Sequence, residues 1–214
     1  MMLIVDMIIK EMLNRFRKEN PNPTTELDYI NNYTLLVAIM LSAQTTDKQV
    51  NKVTSKLFKI LQSPKDTIKI GIEKLEEHIS SIGLWRNKAR NIVAMSQILI
   101  DKFNNTIPNN MEQLITLPGV GRKSANAFLI TAFNLPMMPV DTHVFRVSNR
   151  IGIVSTNNVK TTEQELLKII PKKDMANTHN WLVLHGRYTC KALKPRCNKC
   201  LISDLCAFNQ TQNS

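Results

Sequence analysis

The sequence predicts an all-α protein, and three observations carry that prediction. Apolar residues recur at helical spacing, as in Ile92, Met95, Leu99 and Phe103. No stretch sustains the alternation of a half-buried strand. Prolines and glycines at Pro21 and Pro23, Ser63-Pro64, Gly83, Pro108, Pro118-Gly119, Pro136, Pro139, Gly152, Pro171 and Pro195 cut the chain into pieces of helix length, with room for about ten short helices.

In chain order, the apolar opening from Met1 to Ile9 is interrupted by Asp6 and runs into a charged pattern, so it reads as a helix and not as a signal peptide or a membrane span. Thr46 followed by Gln49 has the form of a capping box, which predicts a helix from Asp47 to about Leu61. Residues Met111 to Arg122 read as a short amphipathic helix followed by Leu117-Pro118-Gly119-Val120-Gly121, and a second helix is expected from Arg122 to Phe133. Asp141 is placed to cap a helix whose Val140, Val144 and Val147 face a core.

The 214 residues carry 28 Lys and Arg against 17 Asp and Glu, a net charge of +11, with an apolar fraction of 43% that suits a packed core. Such a surface attracts polyanions, and nucleic acid is the leading partner. A membrane role fits less well, because no basic amphipathic helix shows an exposed aromatic face.

The hairpin at 111–133 is a helix-hairpin-helix pattern. Two glycines around one small apolar residue let the backbone turn tightly and approach a ligand, while the following helix offers unpaired amides suited to a phosphate. An ordinary helix-helix turn would use the same Pro-Gly pair. Lys123 sits in the first turn of the second helix, where the helix dipole disfavours a cation, so stability alone would not place it there. Asp141 serves as a cap on the plainest reading, and His143 beside it as a core or cap-supporting residue.

Four cysteines fall at Cys190, Cys197, Cys200 and Cys206. Without a secretory signal they suggest a metal and not a disulfide framework. Four thiolates satisfy tetrahedral zinc or a cubane iron-sulfur cluster; the presence of only one Cys-x2-Cys pair mildly disfavours zinc, and chemistry alone leaves both open. Arg187, Lys191, Lys194, Arg196 and Lys199 surround the thiols, making a basic loop suited to a DNA backbone.

Taken together, Leu41 to Asp47, Ile82-Gly83-Leu84-Trp85, Leu117 to Ser124, Val140 to Arg150, and Leu184-His185-Gly186-Arg187 with the four cysteines make the whole chain resemble the endonuclease III family of bifunctional DNA glycosylases. The resemblance implies two helical domains with the active-site groove between them. Residues 25–136 would form a six-helix barrel containing the hairpin at 111–133. Residues 1–24 and 137–214 would form a helical domain carrying the iron-sulfur loop at 190–206. It implies one [4Fe-4S] cluster on Cys190, Cys197, Cys200 and Cys206, Lys123 as nucleophile and Asp141 as its assisting carboxylate. Gln44 and Leu84 match positions that probe the gap left when a nucleotide rotates out of the duplex. Gly119, Val120, Gly121 and Arg122 would contact phosphate, joined by Arg187, Lys191, Lys194 and Arg196. Leu193 stands where relatives often carry a basic residue, so no phosphate contact is expected from that position.

The implied activity is base-excision repair of double-stranded DNA: removal of oxidised pyrimidines through a lysine Schiff base, then β-elimination at the abasic site, by a cytoplasmic monomer. The amine must be neutral to attack, which asks for roughly 3–4 kcal/mol of pKa depression, whereas the helix dipole supplies about 0.3–1 kcal/mol at an exposed site. Burial and neighbouring cations must supply the rest. An adenine-specific mismatch glycosylase would share the hairpin and cluster but lack Lys123. A non-catalytic DNA-binding module would use the hairpin alone, and an electron-transfer protein would need a flavin or nucleotide motif that the sequence does not show.

Overall fold

The computed structural model describes residues 2–212, and among them the regular structure is entirely helical. The all-α expectation holds. The chain divides into two compact units, one formed by Glu26–Asn134 and the other by Met1–Thr25 with Leu135–Ser214.

The continuous unit contains α2 (Asn32–Ser42), α3 (Asp47–Leu57), α4 (Pro64–Ile79), α5 (Trp85–Phe103), α6 (Met111–Leu114) and α7 (Arg122–Phe133). Its centre is α2, where every residue from Tyr33 to Leu41 is buried. A helix apolar on all sides belongs inside a bundle, and α3, α5 and α7 pack around it. Asn31 begins α2 with a reciprocal cap: its side chain accepts from the Thr34 amide, and the Thr34 hydroxyl accepts from the Asn31 amide. That box was not anticipated from the sequence.

The box expected at Thr46 is only half made. Thr46 accepts from the Gln49 amide, but the Gln49 side chain donates to Ser81 at 2.9 Å. The helix it begins stops at Leu57, four residues short of the expected end, where the Phe58 amide closes on Lys56 and Thr54. A further break appears inside α4 at Gly71, whose φ of 78° leaves helical space.

The second unit contains α1 (Met2–Glu19), α8 (Thr142–Ile151), α9 (Val159–Ile169), α10 (Met175–Tyr188) and α11 (Ala207–Gln212). Met12 and Phe16 of α1 share one core with Val144 and Val147 of α8 and with Trp181 and Leu182 of α10. Phe16 stacks on Trp181, with centroids 6.0 Å apart, and the Trp181 indole donates to the Asn20 carbonyl at 2.8 Å. Arg17 pairs with Asp174 at 2.8 Å. The sequence-remote N-terminal helix is thereby fastened to the C-terminal third.

Among the described residues no helix is long and apolar enough to cross a membrane.

Candidate DNA-repair site and metal centre

The hairpin turn between α6 and α7 separates the roles of its two glycines. Gly119 has φ 77°, and a Cβ there would stand 2.8 Å from both Asn91 Cβ and Met40 Cε. Backbone and packing both require glycine at that position. Gly121 has φ −86°, an ordinary conformation, and a Cβ there would meet nothing within 4 Å. Nothing inside the fold requires glycine there, and the missing side chain leaves that flank of the turn open.

Val120 points inward. It is buried, and its amide donates to the Leu117 carbonyl at 3.1 Å, so the turn presents Gly119, Gly121 and Arg122 to solvent and keeps Val120 as an anchor. Helix α7 starts at Gly121 without a side-chain cap and without an acidic residue in its first turn. Its leading amides have no intrahelical partner and lie at the positive end of the helix dipole. Lys123, the second residue of α7, is exposed directly behind that turn.

Asp141 begins α8, and its Oδ1 accepts from the amides of His143 and Val144, each at 2.8 Å. Both cap bonds fall on one oxygen. With Val144 and Val147 fully buried beneath it, the half-buried carboxylate is anchored through Oδ1, and Oδ2 takes no part in the cap. His143 packs against α10: a Cβ on Gly186 would stand 2.8 Å from His143 Cβ, so the absence of a side chain at Gly186 sets how closely α8 and α10 approach.

Gln44 and Leu84 share an unusual backbone. Six non-glycine residues among those described have positive φ, and three are asparagines, which tolerate that region. The other three are Gln44 at 57°, Leu84 at 59° and Lys194 at 51°. Strain of this kind costs about 1–3 kcal/mol per residue and clusters at functional sites. Both Gln44 and Leu84 are exposed, Leu84 to 59%, so neither is a core residue.

The four cysteines line one small cavity together with His185, Ile151, Ile202 and Phe208. Short turns carry the chain around it: the Cys200 amide donates to the Cys197 carbonyl, that of Ser203 to Cys200, and that of Cys206 to Ser203. Among the described residues no three His, Cys, Asp or Glu side chains converge as one ion would require. Four thiols lining one cavity could serve either tetrahedral zinc or a cubane, whose four irons each take one thiolate. Burial, followed by the proximity of the other thiols, pushes Cys200 up to about 11, and burial likewise raises Cys206. Four thiolates here need a cationic partner. His185 Nε2 lies 3.5 Å from Cys200 Sγ, and burial pushes its pKa down to about 4, which keeps the ring neutral near pH 7.

Two residues not singled out from the sequence hold this loop in place. Arg146 donates to the carbonyls of Cys190 and Gly186, at 3.1 and 2.9 Å. Arg150 reaches Cys190 Sγ, Lys191 O and Ala192 O, and its guanidinium lies 4.6 Å from the centroid of Phe208. Their spacing of four on α8 was the available signal. Lys194 and Arg196 are exposed on the loop, Lys191 and Arg187 are half-buried, and Leu193 is 85% exposed.

Residues 37–172 match the HhH-GPD superfamily of base excision DNA repair proteins. The chain is 48% identical to the endonuclease III of Haemophilus influenzae over 94% of its own length and 95% of that protein, and 50% identical to that of Rickettsia prowazekii over the same shares. A solved structure of a trapped endonuclease III–DNA covalent intermediate superposes with a TM-score of 0.87 at 43% identity, covering 98% of this chain and 99% of that one. Hairpin, capped aspartate and cysteine loop thus occur together in a chain that belongs to the endonuclease III family of the HhH-GPD superfamily.

Proposed function

We propose that the protein repairs double-stranded DNA as a DNA glycosylase and abasic-site lyase, with Lys123 as the nucleophile and Asp141 as the carboxylate that assists it. The observation that carries this reading is the placement of Lys123, an exposed amine one residue behind the uncapped start of α7 and the open flank of Gly121. A phosphate gripped there brings the adjoining sugar within reach of the amine.

Gly119, Gly121 and Arg122 bind backbone phosphate. Gln44 and Leu84 enter the duplex where the damaged nucleotide leaves it, and extrusion is cheapest for a damaged, poorly stacked base; membership of the endonuclease III family supports oxidised pyrimidines as the substrates. The Lys123 amine bonds to C1′ as the glycosidic bond breaks, and the base leaves with the electron pair and takes up a proton. Opening of the sugar ring gives the Schiff base. Loss of a C2′ proton then expels the 3′ phosphate by β-elimination. Lys123 is exposed, so the covering DNA supplies the desolvation that a neutral amine requires. An ionised Asp141 would favour the ammonium form of a nearby lysine, so its work is to stabilise positive charge on the sugar or to assist proton transfer.

Cys190, Cys197, Cys200 and Cys206 would hold one [4Fe-4S] cluster, which when bound supplies cationic charge to one buried and three half-buried thiolates and organises the loop. Lys191, Lys194, Arg196 and Arg187 then contact the DNA backbone. The protein works as a monomer in the cytoplasm, where its substrate lies.

Borohydride trapping tests the central assignment. Wild type should form a covalent protein-DNA adduct on a lesion-bearing duplex, and Lys123→Gln should lose trapping and most base release while still binding. Trapping of Lys123→Gln at the wild-type rate would make another amine the nucleophile.

A further inference from the structure

Lys88, in the first turns of α5, is a buried lysine, only 7% exposed, with no carboxylate bonded to it. Its Nζ donates to the carbonyl of Leu41 at 2.8 Å, to the carbonyl of Ala43 at 2.7 Å, and to the Thr45 hydroxyl at 3.2 Å. An ammonium has three N–H donors, and all three are used. Leu41 lies in the last turn of α2 and Ala43 is its C-cap, so the cation sits on the negative end of that helix, which has no basic residue of its own in its last turn.

The acceptors on Ala43 and Thr45 flank Gln44. The ammonium grips the chain on either side of the one residue there that adopts a left-handed backbone. Four residues before Lys88 is Leu84, the left-handed N-cap of α5, whose carbonyl accepts from the Lys88 amide at 3.0 Å. Lys88 is therefore bonded through its main chain to one strained residue and through its side chain to both neighbours of the other. General capping of α2 needs only the Leu41 and Ala43 bonds. The third bond, to Thr45, reaches past the helix end.

We infer that Lys88 is a positioning residue that holds Gln44 and Leu84 in fixed register, so that both enter the duplex as one preformed wedge when a nucleotide is extruded. This rests on the reading of Gln44 and Leu84 as the residues that fill the gap. Ammonium donors suit the task because they fasten a backbone without filling the space that DNA must enter. A neutral side chain of the same length would pack but would leave the buried Leu41 carbonyl without its donor and would release the chain at Ala43 and Thr45.

The test follows extrusion by the fluorescence of 2-aminopurine placed beside an oxidised pyrimidine, with single-turnover base release measured in parallel. Lys88→Met should slow both by up to about 100-fold, the effect of misplacing an aligned group by about an ångström. β-Elimination at a preformed abasic site, where no base remains to unstack, should fall much less. In a Gln44→Ala, Leu84→Ala background, Lys88→Met should add no further loss. If that double variant extrudes at the wild-type rate, the reading of Gln44 and Leu84 fails. If the double variant is slow but Lys88→Met extrudes normally, or adds its full loss on top of the double variant, the positioning role fails and the wedge reading stands. Thr45→Val removes the third Lys88 bond, together with the long 3.5 Å donation from the Thr45 hydroxyl to the Ala43 carbonyl, leaves the Leu41 and Ala43 bonds of Lys88 in place, and keeps the test decisive if Lys88→Met does not fold. It should give a smaller loss of the same non-additive kind, and a wild-type extrusion rate would overturn the inference.

Discussion

Arg150 binds the chain at Cys190 from α8, its Nη1 standing 3.5 Å from the cysteine sulfur and 2.7 Å from the Lys191 carbonyl, while Nη2 takes the Ala192 carbonyl at 3.0 Å. One end of the cysteine loop is thus fixed to the helix that Asp141 begins, whatever the thiols bind. The remaining three cysteines lie farther along the loop.

Because of that clamp, loss of a distal thiolate should disorganise Lys194 and Arg196 before it disturbs Asp141. Purified protein should be brown, with about four irons and four sulfides per chain. Cys197→Ser or Cys200→Ser should lose DNA affinity ahead of catalytic chemistry. Binding titrations beside borohydride trapping at saturating DNA separate the two, and normal affinity with abolished Schiff-base formation would contradict this division of labour. Stoichiometric zinc without iron in anaerobic preparations would rule out the cluster.

Asp141→Asn keeps a capping oxygen for the amides of His143 and Val144, so α8 should lose little stability. It removes the charge. Base excision should slow by about 100-fold or more, within the range for general acid-base groups, with a smaller loss on a preformed abasic site and unchanged binding. Equal losses on both substrates would place the role of Asp141 after glycosidic cleavage.

Binding should weaken steeply with salt. The net charge of +11 and the exposed Arg122, Lys194 and Arg196 predict a log-log slope of about −0.9 for each phosphate neutralised. Removing any one of the three by an alanine substitution should flatten the slope by about one phosphate. Affinity that is flat between low and physiological ionic strength would exclude a phosphate-dominated interface.

Tyr33 predicts alkaline sensitivity of the continuous unit. Its hydroxyl is buried between Thr67 and Ser96, and burial pushes its pKa from 10.0 up to about 12. The protonated form is the one the fold favours. The stabilisation is therefore complete below pH 10, where the unfolded chain also holds the proton, and is lost as pH rises through 12. Denaturant melts between pH 9 and 12 should show a fall on the order of 2–3 kcal/mol that Tyr33→Phe largely removes.

Much of the candidate chemistry was legible in the linear chain because it is written in short-range patterns. The hairpin is a run of five residues, the cap at Asp141 depends on the next three, and the cysteines fall within 190–206. Lys88 was not legible: on an amphipathic helix a lysine reads as a solvated residue, and only the approach of the α2 end turns it into a clamp. The break at Gly71 was missed because a lone glycine in a helical pattern is usually tolerated. At Thr46 the expected box failed because Ser81, distant in sequence, competes for the Gln49 amide group.

By itself the sequence determined the helical class and, through its motifs, the family to which the chain belongs, since these depend on periodicity and on neighbours a few residues apart; the residues proposed for catalysis and for the metal follow from that family resemblance. Only the tertiary structure decided which of those residues face outward. It buried Val120 while leaving Gly121 open, forced Gln44 and Leu84 into left-handed backbone, and placed four thiols around one cavity. Exposure, strain and the direction of a side chain follow from what packs against it, and the partners at these positions are dozens of residues away: Asn91 and Met40 against Gly119, Lys88 beside Gln44, and Arg150 beneath Cys190.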